Sequence, residues 1–194
     1  MLETIKNLAK AYVGESQARN RYTFYAKIAR EEKYNYIADV FEETAYNEKE
    51  HARVLFELLT ELVKKEKMDM SELEIEAAVP IVIGSTKDNL QAAMEGERYE
   101  NTTMYPEFAE IADKEGLKQI AIKLRAISQV EVHHEERYKA LLALVEEEKF
   151  YKREKKVLWI CSECGHIYEG EEPPKLCPLC KHPYNYFEVN NDVF

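Results

Sequence analysis

Glu48-x-x-His51 and Glu131-x-x-His134 each sit in the middle of a stripe of apolar residues spaced alternately four and three apart. One stripe is Ile37, Phe41, Thr44, Glu48, His51, Leu55, Leu58 and Leu62; the other is Ile120, Leu124, Ile127, Glu131, His134, Tyr138, Leu141 and Val145. That alternation is a heptad seam, which turns toward the interior of a helical bundle, so both carboxylate and imidazole pairs are expected in the core. A buried carboxylate must raise its pKa or find a cation. Gly14-Glu15 and Gly96-Glu97 each place a further carboxylate about 33 residues before the Glu of one pair, so the chain reads as a duplicated helix hairpin.

Helical periodicity runs over Thr4 to Glu32, Asn35 to Glu66, Lys87 to Glu115 and Leu117 to Glu147. The short joints at Lys33-Tyr34 and at Gly116 allow only antiparallel neighbours, whereas Lys67 to Thr86 leaves about 20 residues between the second and third segments. Two hairpins joined by one long crossover are the connectivity of an all-α ferritin-like four-helix bundle. The 194 residues hold 37 Asp and Glu against 27 Lys and Arg, a net charge of −10, which disfavours nucleic acid and anionic membrane surfaces as partners. The first residues, MLETIKNLAK, lack the apolar region of a signal peptide, and the apolar stretch from Ala77 to Ile83 is short and broken by Pro80. A cytoplasmic location is expected.

Glu15, Glu48, Glu97 and Glu131 fall at equivalent depths, Glu100 lies one turn beyond Glu97, and neither seam carries Lys or Arg to neutralise them. Five carboxylates with His51 and His134 make the donor set of a two-metal site. Solvated helix faces would need a duplicated Glu-x-x-His to fall in register by chance. Zinc and magnesium are rival occupants, but iron or manganese suits a carboxylate-rich shell that offsets a site cycling between divalent and trivalent states. Tyr22 and Tyr105 return to the core face near the metals, where each either bonds a ligand carboxylate or simply packs. His133 points about 100° from His134 and is expected at the surface or behind the ligands. Glu135 and Glu136 are expected in solvent. Gly14 and Gly96, costly in mid-helix, suggest either room for a substrate or a close helix approach.

All four cysteines are confined to Cys161-x-x-Cys164 and Cys177-x-x-Cys180, separated by 12 residues, the spacing of one four-thiolate metal site. Zinc and iron both accept it; beside a redox bundle, a one-electron iron centre adds what zinc cannot. Gly165 follows one pair and Lys181 the other. His166 and His182 are read as non-ligands, since four thiolates complete the shell. Trp159, Ile160, Tyr168, Tyr184, Tyr186 and Phe187 are expected to form a small aromatic core. The domains follow as 1–150 for the bundle, 151–156 for a linker and 157–194 for the cysteine module.

Gly14-Glu15-Ser-Gln-Ala-Arg-Asn-Arg-Tyr22, Glu48-Lys-Glu-His51, Gly96-Glu97-Arg-Tyr-Glu100, Met104-Tyr105-Pro106-Glu107-Phe108, Glu131-Val-His-His134 and the cysteine pairs together resemble the rubrerythrin family, over nearly the whole length. The resemblance implies a di-iron bundle joined to a rubredoxin-like iron domain, acting as a peroxide reductase in oxidative stress protection. It implies Glu15, Glu48, Glu97, Glu100, Glu131, His51 and His134 as di-iron ligands, with Glu100 and His51 alternating on one iron as its oxidation state changes. Cys161, Cys164, Cys177 and Cys180 would hold the single iron, and Tyr22 and Tyr105 would stand behind the ligands. It further implies hydrogen peroxide as substrate, rubredoxin or an NAD(P)H:rubredoxin reductase as electron donor, and a homodimer or higher homo-oligomer. Lys181 departs from the Gly common in that family. Two rival readings are a ferritin-like ferroxidase, which would leave the cysteine module superfluous, and a non-catalytic zinc-ribbon interaction protein.

Overall fold

The computed structural model describes residues 2–190; Met1 and the last four residues of the expected cysteine module lie outside them. Helix α1 spans Glu3–Glu31 and α2 Asn35–Lys65. After the crossover come α3 over Thr86–Tyr99, a π-helical turn over Glu100–Met104, α4 over Tyr105–Lys114 and α5 over Lys118–Glu146. The third segment is therefore not one continuous helix. Pro106 stands in the first turn of α4, where it has no N–H to bond back and its ring crowds the preceding carbonyls, and the backbone widens just before it.

Both hairpin joints close in the same way. Lys33 at φ 66° and Gly116 at φ 77° turn the chain left-handed. Tyr34 N–H then reaches Ala29 O at 2.8 Å, and Leu117 N–H reaches Ala112 O at 2.8 Å. Each joint also supplies a carboxylate to a distant helix start. Glu115 accepts from Glu3 N–H at 2.7 Å and Thr4 N–H at 3.0 Å, and Glu32 accepts from Thr86 N–H at 2.9 Å. The crossover carries no helix or strand and is pinned where Tyr25 O–H donates to Val82 O at 2.7 Å.

Two apolar clusters fill the bundle. One holds Tyr22, Tyr25, Ile37, Phe41, Leu90 and Tyr138; the other holds Ile5, Leu8, Leu55, Met104, Tyr105 and Leu124. Between their seam positions lie the Glu and His residues, so greasy layers seal them from both ends.

Strands β1 (Val157–Cys161), β2 (Ile167–Gly170) and β3 (Phe187–Val189) form a sheet in the order β2-β1-β3, antiparallel throughout. Trp159 and Phe187 are buried with the cysteines, and Trp159 Nε1–H donates to Gly170 O at 3.0 Å. The aromatic core is smaller than the sequence suggests. Tyr168 is exposed on β2, and Tyr184 packs edge-on against Tyr151, 5.1 Å between centroids. Tyr151 O–H in turn donates to Lys33 O at 2.7 Å, so this tyrosine pair ties the module to the bundle instead of filling the module.

Candidate functional site

Glu15, Glu48, Glu97 and Glu131 are fully buried, one from each of α1, α2, α3 and α5, with His134 beside them. His51 Nδ1 lies 2.7 Å from Glu48 Oε2, 3.0 Å from Glu131 Oε1 and 3.9 Å from Glu15 Oε1. His134 Nδ1 lies 2.7 Å from Glu131 Oε2, 3.2 Å from Glu48 Oε1 and 3.7 Å from Glu97 Oε2. Glu48 and Glu131 thus turn one oxygen to each imidazole. Two quartets result, Glu15-Glu48-His51-Glu131 and Glu48-Glu97-Glu131-His134, whose donor atoms lie within 4.8 Å of one another in each.

The close approaches are not hydrogen bonds. Both oxygens of Glu48 and of Glu131, Oε2 of Glu15 and of Glu97, and Nδ1 of each His are buried without a hydrogen-bond partner. Lone pairs that crowd together without pointing at one another converge on a common centre. Two donors at about 2.1 Å from a metal and at right angles stand about 3 Å apart, close to the shorter separations here. The two quartets share Glu48 and Glu131, and their carboxylate and imidazole donors would fit a pair of transition-metal ions.

Electrostatics describe what such ions would relieve. Burial, then repulsion from Glu100, Glu48 and Glu131, holds Glu15 well above the usual carboxylate range. Burial pushes Glu97 up to about 8. Against their own desolvation, Glu131 and Glu48 push His51 up to about 9 and, with Glu97, His134 to about 12. Protons hold the places that cations would take.

Behind the donors, Tyr22 O–H donates to Glu97 and Tyr105 O–H to Glu15. Burial and the adjacent carboxylates keep both phenols well above their ordinary pKa, so both remain donors. The reading from sequence missed Asn47, whose Oδ1 lies 3.3 Å from His134 Nε2. With that N–H donated to Asn47, Nδ1 is left free for the quartet. Asn47 adjoins Glu48 but lies about 100° from it around α2, off the seam, so the stripe does not single it out. Glu135 is also not in open solvent: it accepts from Arg98 Nε at 2.7 Å and Asn101 Nδ2 at 2.8 Å, tying α5 to α3 and the π turn. His133 and Glu136 are exposed.

Glu100 belongs to neither quartet. It sits half-buried at the start of the π turn, with a carboxyl that burial and then repulsion from Glu97 and Glu131 hold well above its ordinary pKa.

The four cysteines are reduced and converge, with Cys161 Sγ 3.7 Å from Cys180 Sγ and Cys164 Sγ 3.6 Å from Cys177 Sγ. A tetrahedral shell with bonds of about 2.3 Å has edges of about 3.7 Å. Two matching knuckles make it. Cys161 N–H donates to His166 O at 2.9 Å and Gly165 N–H to Cys161 O at 2.8 Å; Cys177 N–H donates to His182 O at 2.8 Å and Lys181 N–H to Cys177 O at 3.0 Å. Against burial, the Cys180 and Leu179 N–H groups pull the Cys177 thiol down to about 6. His182 Nδ1 lies 3.3 Å from Cys180 Sγ, outside the four-sulfur cluster.

The family model described as "Rubrerythrin" matches residues 6–142, and that described as "Rubrerythrin, rubredoxin-like domain" matches 159–188. A relative from Methanocaldococcus jannaschii named "Putative rubrerythrin" is 56% identical over the whole of this chain and 96% of its own length. "Rubrerythrin-1" of Clostridium acetobutylicum is 46% identical over 99% of this chain and 96% of its own. Among solved structures, a partially reduced nigerythrin superposes with a TM-score of 0.62 at 31% identity, covering 96% of this chain and 86% of that one.

Proposed function

The chain belongs to the rubrerythrin family, with a ferritin-like di-iron site and a four-cysteine rubredoxin-like site, and from that premise we propose that it reduces hydrogen peroxide to water. One observation carries the reading: two quartets of orphaned buried donors share a chain with a four-thiolate cage. A ferroxidase needs only the first.

We assign Glu15 and His51 to one iron, Glu97 and His134 to the other, Glu48 and Glu131 to both, and Cys161, Cys164, Cys177 and Cys180 to the single iron. When bound, the ferrous pair supplies the two electrons that break the O–O bond, and the thiolate iron returns electrons one at a time. The apolar clusters exclude water from the quartets. Four carboxylates offset the charge that oxidation adds, and Tyr22 and Tyr105 hold two of them in place with protons they do not release at neutral pH. Glu100, outside both quartets and in a π turn that yields more readily than a regular helix, is the carboxylate suited to trade places with His51. The electron donor is a rubredoxin or an NAD(P)H:rubredoxin reductase. The working unit is a homo-oligomer in the cytoplasm, and the −10 net charge favours no nucleic acid. No described helix is long and apolar enough to cross a membrane.

Anaerobically reduced protein is expected to reoxidise with peroxide far faster than with dioxygen. Glu48→Ala, which removes a carboxylate common to both quartets, is expected to abolish peroxide turnover and keep the thiolate-iron absorption. Unchanged turnover contradicts the assignment.

A further inference from the structure

The quartets are sealed almost everywhere, with His51 retaining 13% side-chain exposure. Glu100 is different. It lines a cleft of about 300 Å³ together with residues of α1, the π turn and the crossover strap. Gly14 and Gly96 both line this cleft, with Ala78, Met104 and Phe108 among its apolar residues and Lys10, Gln17, Arg21 and Glu76 among its polar ones. A Cβ added at either glycine would meet nothing within 4 Å. Close helix approach therefore does not explain them. Mid-helix glycine costs about 1 kcal/mol against alanine, so two in register, opening into the same space beside the site, keep that space clear.

Hydrogen peroxide does not need it. A water-sized molecule occupies about 30 Å³, whereas this cleft reaches the roughly 300 Å³ at which small-molecule pockets begin. The lining is mixed, but its apolar share, with Pro80, Met104 and Phe108, does nothing for a molecule made of hydroxyl groups and suits an alkyl or aryl group attached to one.

We propose that the cleft seats the organic group of an alkyl hydroperoxide with its O–O group toward Glu100, so that the protein reduces organic hydroperoxides as well as hydrogen peroxide. This rests on the peroxide-reductase reading above. The O–O bond breaks, two electrons come from the ferrous pair, and two protons from solvent complete one alcohol and one water; the carbon is unchanged. The strap carries Ala77 and Ala78 at the mouth, both exposed, so bulk can be added there without entering the core.

The test uses iron-loaded, full-length protein, reduced anaerobically and mixed with cumene hydroperoxide or hydrogen peroxide in a stopped-flow. The cumene rate constant is expected within about tenfold of that for hydrogen peroxide. Ala78→Trp and, separately, Ala77→Trp are expected to lower the ratio of the two rate constants by about tenfold or more. Calorimetric titration with cumyl alcohol, the reaction product, should show binding that each variant weakens by a similar factor. Fast reoxidation by hydrogen peroxide with cumene hydroperoxide about a thousandfold slower overturns the cleft proposal alone. Slow reoxidation by both overturns the peroxide reading and the proposal together. A ratio and an alcohol affinity that neither tryptophan changes overturn the assignment to this cleft.

Discussion

Lys181 adopts φ 66°, in the left-handed region, where its twin in the other knuckle is Gly165 at φ 72°. Left-handed backbone costs an ordinary residue about 1–2 kcal/mol, and glycine's looser unfolded chain returns about half of that. Lys181→Gly is accordingly expected to stabilise the cysteine module by about 0.5–1 kcal/mol, measured as guanidinium resistance of the thiolate-iron absorption. The same change should move the potential of that iron downward. The Lys181 ammonium, held near the knuckle by donating to Pro178 O at 3.2 Å, favours the more negatively charged reduced state. A potential that rises, or a less stable module, would contradict this. The strain was legible from the Gly165 comparison alone. Asn47 was not, because a seam pattern identifies what faces the core and says nothing of the neighbour that orients a ligand from behind.

The π turn answers a small irregularity in the duplication. Glu15 precedes Glu48 by 33 residues and Tyr22 follows Glu15 by seven, whereas Glu97 precedes Glu131 by 34 and is followed eight later by Tyr105. The second repeat has one residue more. A regular helix would carry that residue forward as a rotation of about 100° and swing Tyr105 off the core. Looped into the wide turn, the extra residue makes eight positions act as seven, close to two full turns, and Tyr105 reaches Glu15 as Tyr22 reaches Glu97. Deleting Thr102, exposed within the turn, is expected to leave helix content and melting near the parent while displacing Glu100 and slowing reoxidation by peroxide. Undiminished peroxide kinetics in a folded deletion would deny Glu100 a role. The four long segments and the crossover were readable because heptads and caps are local signals. The break was not, since Pro106 reads equally well as a kink, a helix start or a widened turn.

At the scale of the molecule, the carboxylates dictate how stability follows pH. Glu15, Glu97 and Glu100 bind protons more tightly in the fold than their ordinary value of 4.5. Their stabilising contribution is complete below that value and is lost as pH climbs, through about 8 for Glu97. His51 and His134, raised from 6.5 to about 9 and about 12, act in the same sense at higher pH. Glu131, lowered to about 2 mainly by His134 and His51 against its own burial, acts in the opposite sense only below its ordinary 4.5. Protein stripped of iron is therefore expected to melt lower at pH 8 than at pH 5 by far-UV circular dichroism. Iron-loaded protein should lose that slope, because metal replaces the protons. An iron-free melting point that rises with pH would show that the quartets do not govern the bundle.

The two tyrosines reach across, not within, their own repeats: Tyr22 serves the carboxylate of the second hairpin and Tyr105 that of the first. A lone hairpin would leave its own glutamate without a donor and its own phenol without an acceptor. Such a half could satisfy both groups only by clasping a twin, so neither hairpin of this chain is chemically whole without the other.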